Sequence, residues 1–166
     1  MNKIIIVGYK SFLQRNLFIF FKKKNLKVFK KKFSELKNYK LNEGDTIINC
    51  SINNKFFYEK YNKKNDRNLI ICKFIKDKNI NFVMLSTRQV YKPKLKINEK
   101  SYLKPINVYA RNYYKSEFNC KKIFNKKITI LRVSNVFGYD FGRKKRLSLL
   151  KKMQAGIKKG QITLDS

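Results

Sequence analysis

Two tyrosines and a glutamate are spaced so that they share one face of a predicted helix. They lie in the stretch PINVYARNYYKSE, at Tyr109, Tyr113 and Glu117. Residues four apart on a helix return to nearly the same face. A tyrosine can act as a general base, but its ordinary pKa of ~10 keeps it protonated at neutral pH unless a nearby cation favours the phenolate. None of the ten tyrosines is followed by a lysine four residues later. The spacing therefore places the three side chains together and leaves open whether they form a working site, a damaged one or a coincidence in a lysine-rich chain.

Short apolar runs alternate with longer amphipathic segments along the chain. The predicted strands are 4–7, 25–29, 45–50, 81–87 and 128–133, with one more short strand at 161–164; the predicted helices are 12–21, a stretch within 56–77, 107–124 and 144–158. This alternation is typical of an α/β fold with a doubly wound parallel sheet, Rossmann-like in type. In such folds ligands bind at the carboxyl ends of the strands, so we expect the functional residues just after each strand.

The charge of the chain admits two interpretations. Lys and Arg number 41 against 10 Asp and Glu, a formal net charge of +31, which is typical of proteins that bind nucleic acids or other polyanions. Only seven of these basic residues are Arg, and the lysines are spread from Lys3 to Lys159. Nucleic-acid readers favour Arg for bidentate contacts. The pattern therefore favours a biased, solvated surface without a specific nucleic-acid partner, and a basic polyanion-binding protein is the less favoured alternative.

Missing residue types exclude several chemistries. The chain has no His, which removes Ser-His-Asp and Cys-His catalysis and His-ligated metal sites. Its cysteines, Cys50, Cys72 and Cys120, form no CxxC pair, so we expect reduced thiols and no metal site. The sequence shows no secretory signal and no apolar run of the ~18 residues that would cross a bilayer. We expect a cytoplasmic protein without a membrane span and with a single domain, residues 1–166.

The first predicted strand and its turn, VGYKSFLQRNL, resemble the cofactor-binding turn of the extended short-chain dehydrogenase/reductases. This family contains nucleotide-sugar epimerases, dehydratases and reductases, including proteins like dTDP-4-dehydrorhamnose reductase. It usually has three glycines here, whereas this chain keeps Gly8 and has Ser11 and Gln14 in the other two places. The resemblance implies that Gly8, Ser11, Phe12 and Leu13 contact the pyrophosphate of NAD or NADP. We expect Gln14 to hinder packing of the helix on the sheet, since the third glycine allows their close approach. Taken alone, the stretch also fits an ordinary strand–helix turn.

Three further stretches match cofactor-binding positions of the family. In DTIINCS, Cys50 falls at a strand end that lies beside the nicotinamide ribose. In KKNDRNL, Asn65 aligns with an asparagine that contacts the cofactor at the start of a helix, although a helix cap is an equal alternative. In KVFKKKF, lysines stand at 30–32, where the family has Asp for an adenosine ribose or basic residues for a ribose phosphate. This favours NADP over NAD.

The remaining matches concern catalysis and substrate. Thr87, in FVMLSTRQVY, falls where a hydroxyl helps to polarise a substrate carbonyl or alcohol, and the alternative is a turn-forming Thr at a strand end. Asn135, in LRVSNVFG, falls in a substrate-contacting position. The family's catalytic helix reads Pro-x-x-x-Tyr-Gly-x-Ser-Lys-x-x-x-Glu, which implies that Tyr109 is catalytic. Tyr113 takes the place of the lysine that lowers the pKa of this tyrosine and bonds the nicotinamide ribose.

The resemblance runs through nearly all of the chain. It implies an NAD(P)-binding domain of a nucleotide-sugar epimerase, dehydratase or reductase, with a nucleotide sugar as substrate. Family chains continue into a C-terminal lobe that binds the sugar nucleotide, and we expect most of that lobe to be missing. With Gln14 and Tyr113 as further deficits, we expect little or no turnover by this chain alone. The alternative is a noncatalytic Rossmann-fold binding module. Apolar surface left by the missing lobe would favour oligomers.

Overall fold

Five parallel strands form one sheet in the computed structural model, which describes residues 2–124, 128–134 and 136. The strands are β1 Ile4–Val7, β2 Val28–Lys31, β3 Thr46–Asn49, β4 Asn81–Thr87 and β5 Ile128–Val133. Their order in the sheet is β2-β1-β3-β4-β5, and every neighbouring pair is parallel. This confirms the predicted doubly wound α/β fold. The predicted helix at 144–158 and strand at 161–164 lie outside the described residues.

Four α-helices connect the strands. They are α1 Phe12–Lys23, α2 Lys55–Tyr58, α3 Arg67–Ile75 and α4 Val108–Ile123, and short 3-10 turns occupy Phe33–Asn38, Lys63–Asn65 and Arg88–Val90. The connection from β1 to β2 leads in one direction along the sheet, and those from β3 to β4 and from β4 to β5 lead in the other. Since such crossovers are right-handed, α1 covers one face of the sheet, and α3 and α4, which contact each other, cover the other. The described helices therefore form one layer on each side of the sheet. The sheet and these helices belong to one compact unit, Met1–Ser134.

Two predicted elements differ from the observed ones, and local capping explains both. The predicted strand at 25–29 begins later, at Val28, because Asn25 ends α1 in the left-handed conformation with φ of 56°. The predicted helix within 56–77 is divided. Asn62 caps the 3-10 turn by accepting a hydrogen bond from the N–H of Lys64, and Asp66 caps α3 by accepting from the N–H of Leu69. These polar side chains satisfy main-chain donors that a continuous helix would use internally.

The adjacent strands β1 and β3 mark the point where the strand order reverses. Ile5, Ile6 and Val7 of β1 are fully buried, as is Ile47 of β3, which fits strands covered on both faces. The N–H of Cys50, just after β3, donates to the carbonyl of Val7 at 2.7 Å. The carboxyl ends of β1 and β3 therefore lie side by side, and ligands of open α/β sheets bind at this kind of crevice.

The strand β2 is one edge of the described sheet. Its residues Lys30 and Lys31 point to opposite faces. The ammonium of Lys30 lies 4.4 Å from the centre of the Phe18 ring, and that of Lys31 lies 4.6 Å from the centre of the Tyr39 ring. Both lysines thus rest on aromatic rings at the sides of this edge.

Candidate cofactor site and catalytic helix

The turn between β1 and α1 brings three predicted cofactor-binding residues together. Ser11 is the N-cap of α1, and its Oγ accepts a hydrogen bond from the N–H of Gln14 at 3.1 Å. The N–H groups of Phe12 and Leu13, in the first turn of the helix, have no acceptor among the described residues. These two donors and the hydroxyl proton of Ser11 are available to an anion at the positive end of the helix dipole.

Gly8 is packed closely at the start of this turn. A Cβ added at Gly8 would lie 3.4 Å from Ser11 Oγ and 3.5 Å from both Cys50 Cβ and Gln14 Cβ. An alanine therefore just fits, whereas a branched side chain would overlap its neighbours. Lys10, two residues on, has a φ of 50°, a left-handed conformation that is strained for a residue with a side chain.

Gln14 fits between the helix and the sheet, contrary to the expectation that it would hinder their packing. Its side chain is buried, with 4% of its surface exposed. Its Nε2 lies 3.0 Å from the carbonyl oxygen of Ile6, 2.9 Å from that of Gly8 and 3.3 Å from that of Lys31. The long side chain is accommodated because its amide satisfies main-chain oxygens at the ends of β1 and β2, which makes its burial tolerable.

Cys50 directly follows β3, and Asn65 lines a small cleft beyond the end of this strand. Burial raises the pKa of the Cys50 thiol to about 12, so this thiol stays protonated. Asn65 ends the 3-10 turn, and its Oδ1 accepts from Asn53 Nδ2 at 3.3 Å. Asp66, and not Asn65, caps α3, so the cap alternative for Asn65 is wrong. Asn53, Asn65 and Tyr113 all line the cleft, whose volume of about 10 Å³ has room for one water molecule.

Thr87 ends β4 and is buried. Its Oγ1 accepts a hydrogen bond from the N–H of Gln89 at 3.3 Å, so Thr87 makes the turn bond that was its alternative interpretation. The hydroxyl proton is not used in that bond. No hydrogen bond joins the hydroxyls of Thr87 and Tyr109 among the described residues; the two segments meet instead where Asn107 Nδ2 donates to Gln89 Oε1 at 2.9 Å.

Tyr109 and Tyr113 are in contact on the inner face of α4, as the four-residue spacing predicts. Their ring centres lie 4.9 Å apart, edge to face. The Phe57 ring of α2 stacks parallel on Tyr109 with 5.0 Å between centres, and Phe56 packs edge-on against Tyr113 at 5.2 Å. Tyr113 is only 8% exposed. The place of a cation beside Tyr109 is thus filled by an aromatic cluster, defined here as Phe56, Phe57, Tyr109 and Tyr113.

The pKa values of Tyr109 and Tyr113 are both raised, which disfavours the phenolate that a general base requires. Burial raises the pKa of Tyr109, and a hydrogen bond with Tyr113 opposes this only in part. Burial also raises the pKa of Tyr113 well above its ordinary value, helped by the nearby phenol of Tyr109. Because desolvation disfavours the charged phenolate, neither residue supplies a ready base at neutral pH.

Glu117 has a structural role that fixes α4 to the sheet. Its carboxylate accepts from Ser86 Oγ at 2.5 Å and pairs with the guanidinium of Arg132, with Nη2 to Oε2 at 2.6 Å. Arg132 also donates to Tyr91 Oη at 2.7 Å. Glu117 and its hydrogen bond raise the pKa of Arg132, so the guanidinium stays charged. The pair therefore links α4 to β4 and β5 below the aromatic cluster.

A second buried carboxylate, which sequence reasoning missed, lies behind Tyr113. Asp66 is fully buried and accepts from Tyr61 Oη at 2.7 Å and Ser116 Oγ at 2.9 Å, in addition to the N–H of Leu69 at 3.1 Å. Burial raises its pKa although these donors oppose the shift. The sequence shows only an Asp next to Asn65 within the stretch 56–77 predicted to contain a helix, and it reveals neither Tyr61 nor Ser116 as a partner.

Comparison with known proteins identifies the family. The sequence profile of the NAD dependent epimerase/dehydratase family matches residues 42–165. The chain belongs to this family. The matched residues contain the aromatic cluster and exclude the turn after β1, so the assignment of that turn depends on its own geometry.

Solved structures of nucleotide-sugar reductases and epimerases share the fold of this chain. The dTDP-4-dehydrorhamnose reductase from Yersinia enterocolitica superimposes with a TM-score of 0.74 at 18% identity, over 96% of this chain and 61% of the reductase. The dTDP-4-dehydrorhamnose reductase from Bacillus anthracis in complex with NADP gives a TM-score of 0.67 at 16% identity, over 95% of this chain and 61% of that reductase. UDP-glucuronic acid 4-epimerase from Bacillus cereus in complex with NAD gives a TM-score of 0.66 at 16% identity, over 96% of this chain and 63% of the epimerase. The chain thus spans about 60% of the length of these structures. No curated protein matches the sequence.

Tyr113, which the resemblance places at the family's lysine position, thus lies in a chain that shares the fold of these structures. Asn135, the predicted substrate-contacting residue, lies outside the described residues. Within the part of the chain that the structure describes, no group of three or more Cys, Asp or Glu residues is arranged to hold a metal ion. No helix in that part is both long and apolar enough to cross a membrane.

Proposed function

We propose that this chain is an NAD(P)-binding domain of the nucleotide-sugar epimerase, dehydratase and reductase type, with little or no turnover on its own. The observation that supports this most directly is the turn after β1, where the hydroxyl of Ser11 and the N–H groups of Phe12 and Leu13 can meet a pyrophosphate. This turn stands where the strand order reverses, the usual ligand crevice of such a sheet. The family assignment supports the same cofactor class.

The residues present fit the two ends of such a cofactor unequally. At the pyrophosphate end, the close packing of Gly8 lets the main chain approach a ligand. At the nicotinamide end, Phe57 covers one face of Tyr109. The nicotinamide, when bound, supplies hydride transfer. Thr87 keeps a hydroxyl proton to donate to a substrate oxygen, but Tyr109 holds its own proton because burial raises its pKa and Tyr113 brings no positive charge.

Titration with NADH and NADPH, followed by nicotinamide fluorescence, tests the binding. We expect saturable binding by the natural chain and none by Gly8→Val, whose methyl groups would overlap Ser11, Gln14 and Cys50. Ser34→Val, at an exposed turn, is the matched control and should bind normally. Absence of binding by the natural chain at millimolar cofactor would disprove the proposal.

We further propose that the site prefers NADPH. Two lysines follow the ends of β1 and β2 and lie near the same ring, with the ammonium of Lys10 at 5.3 Å and that of Lys32 at 5.1 Å from the centre of Tyr9. Two cations at this position favour the extra phosphate of NADPH. We expect Lys32→Gln to lower the NADPH to NADH affinity ratio, whereas Lys37→Gln, on the 3-10 turn that follows Lys32, should not. An unchanged ratio in Lys32→Gln would contradict the preference.

The proposed lack of turnover is tested by hydride transfer, followed at the nicotinamide absorbance with a panel of dTDP-, UDP- and GDP-sugars. These are the substrate class that the family suggests as partners. The natural chain should show no turnover above background, because a neutral tyrosine under Phe57 is a poor base. Robust turnover that disappears in Tyr109→Phe would overturn this part of the proposal. It would also exclude the second candidate, a noncatalytic binding module, which the aromatic cluster supports.

We infer a cytoplasmic location for the chain. All three cysteines are free thiols, and Cys72 and Cys120 are fully buried side chains of the core. Free buried thiols are usual in proteins of a reducing compartment. Fractionation of the source cells, with detection by antibody, tests the inference; recovery in a secreted fraction would disprove it.

A further inference from the structure

Gln14 departs from the family pattern, and its contacts give it a specific task at the turn after β1. A glycine in this place contributes no side chain. Gln14 instead places its Nε2 within 3.3 Å of three main-chain oxygens, those of Ile6, Gly8 and Lys31. The opposite orientation of the amide would set its own oxygen against the same three oxygens, so the contacts themselves define which atom faces them.

These oxygens matter because of where they lie. A carbonyl oxygen carries partial negative charge, and the carbonyls of Ile6, Gly8 and Lys31 belong to the ends of β1 and β2, next to the donors of Ser11, Phe12 and Leu13. A pyrophosphate drawn to those donors would be repelled by the partial negative charge of the carbonyls beside it. The carbonyl of Lys31 also accepts from the N–H of Gly8 at 2.8 Å, so Gln14 adds a second donor to this oxygen. The amide of Gln14 places its partly positive protons against these oxygens and offsets their negative charge in part.

The main-chain N–H of Gln14 acts in the same direction. It donates to the Oγ of Ser11 at 3.1 Å and so uses a lone pair of that hydroxyl. The hydroxyl proton is left to be donated outward, as an anion requires. Residue 14 thus engages acceptors on the protein side of the turn through both its main chain and its side chain, and the remaining donors face the ligand.

We propose that Gln14 is a positioning residue for the pyrophosphate of the dinucleotide, one that keeps the carbonyl oxygens of the turn away from the anion. The proposal rests on the cofactor binding put forward above. In the family pattern, a third glycine lets the helix pack closely on the sheet. In this chain the amide of a buried glutamine would take over that task by engaging the carbonyl oxygens of the turn.

The test compares ligands with and without the diphosphate. Gln14→Met keeps the length of the side chain and removes its donors, and Gln14→Glu adds negative charge at the same place. ADP, NADH and adenosine are titrated into each variant, with binding read from amide shifts in nitrogen–proton NMR spectra. We expect Gln14→Met to weaken ADP and NADH about tenfold, the size of one lost hydrogen bond. Gln14→Glu should weaken both further, and adenosine should bind all three proteins equally.

A matched control and a ligand-free measurement complete the experiment. Lys23→Met, at an exposed position of α1, should leave all three affinities unchanged. In the free natural chain, the side-chain N–H₂ protons of Gln14 should exchange slowly with water, since both are held by carbonyls. This measurement remains available if a Gln14 variant does not fold.

The outcomes separate the two proposals. If the natural chain binds neither NADH nor ADP, the proposed cofactor function fails and this inference fails with it. If the natural chain binds both but Gln14→Met binds them equally well, Gln14 is not a positioning residue. Equal loss of ADP and adenosine in Gln14→Met would show a purely structural role and also overturn the inference, as would rapid exchange of the Gln14 amide protons.

Discussion

The turn after β1 and the inner face of α4 both differ from the pattern that the sequence resemblance implies, but in opposite ways. In the turn, Gln14 replaces a glycine and forms hydrogen bonds to main-chain oxygens, so the outward donors remain free. On α4, Tyr113 replaces a lysine and packs against Phe56 and Tyr109. The first replacement keeps a polar surface for a ligand, and the second turns a polar position into apolar packing. Under the proposed function, cofactor binding and turnover are therefore separable, and the predictions below test this contrast.

The largest expected effect tests whether α4 is now mainly a structural helix. Glu117→Gln leaves the guanidinium of Arg132 without its buried partner, so we expect a loss of about 3 to 5 kcal/mol in the free energy of unfolding. Urea denaturation measures it. Glu59→Gln is the control, because the Lys55–Glu59 pair is exposed and worth about 0.5 kcal/mol or less. Similar small losses in both variants would mean that the Glu117 pair contributes little to fixing α4.

The next effect concerns restoring the family residue at position 113. Tyr113→Lys removes an aromatic ring from a buried site and introduces an ammonium there, so we expect a loss of about 3 kcal/mol in the free energy of unfolding. Tyr113→Phe keeps the ring and should lose about 1 kcal/mol or less. If Tyr113→Lys is as stable as the natural chain and gains turnover, the aromatic cluster is not an obstacle to catalysis and the contrast between the two regions disappears.

A smaller effect is expected in the turn. Lys10→Gly relieves the left-handed strain at φ of 50° and should raise the free energy of unfolding by about 1 kcal/mol. Asn25→Gly, at φ of 56° after α1, should change stability by only a few tenths of a kcal/mol, because Asn tolerates this conformation. Thermal denaturation of the two variants makes the comparison. No gain in Lys10→Gly would show that strain is absent from the turn.

The smallest effect is a shift in a titration. The pKa of Tyr109 is raised above its unfolded value, so the folded state holds this proton more tightly. The stability that this shift contributes is therefore fully present below pH ~10 and is lost as the pH rises through and above that value. The free energy of unfolding of Tyr109→Phe should fall less over the same pH range. Tyr113→Phe removes the opposing hydrogen bond and should raise the pKa of Tyr109 further, which phenolate absorbance measures. A lowered pKa would contradict the stated cause.

The sequence predicted the fold better than the site. Periodicity and short apolar runs predict elements such as β4 and β5, whose observed bounds equal the predicted ones, because their apolar residues stand together in the sequence. The burial of the two strands differs, since most of β4 is buried or half-buried whereas no residue of β5 is fully buried. The four-residue spacing also predicted that Tyr109 meets Tyr113. Stacking of Phe57 on Tyr109 was not predictable, since α2 precedes α4 by about fifty residues and its position depends on tertiary packing.

Gln14 shows why the remaining site was harder to predict. Side-chain size suggested a clash, whereas the outcome depends on three carbonyl directions that no local pattern reveals. Asp66 is similar, because its partners Tyr61 and Ser116 lie on separate segments. Polar contacts between distant segments are specified by geometry, and the sequence alone gives only the residue types.

The lysines on β2 have a consequence for the chain in concentrated solution. A bare strand edge is a template on which another molecule can add its own strand, the first step of aggregation. In the sheet of the described residues β2 is such an edge, and pairing there would bring Lys30 and Lys31 of one molecule against the same pair on the next, in a chain of formal net charge +31. Mutual repulsion would keep the molecules apart at low ionic strength. Added salt shortens the reach of that repulsion to about 10 Å at 0.1 M, so colloidal stability should decline as salt is raised.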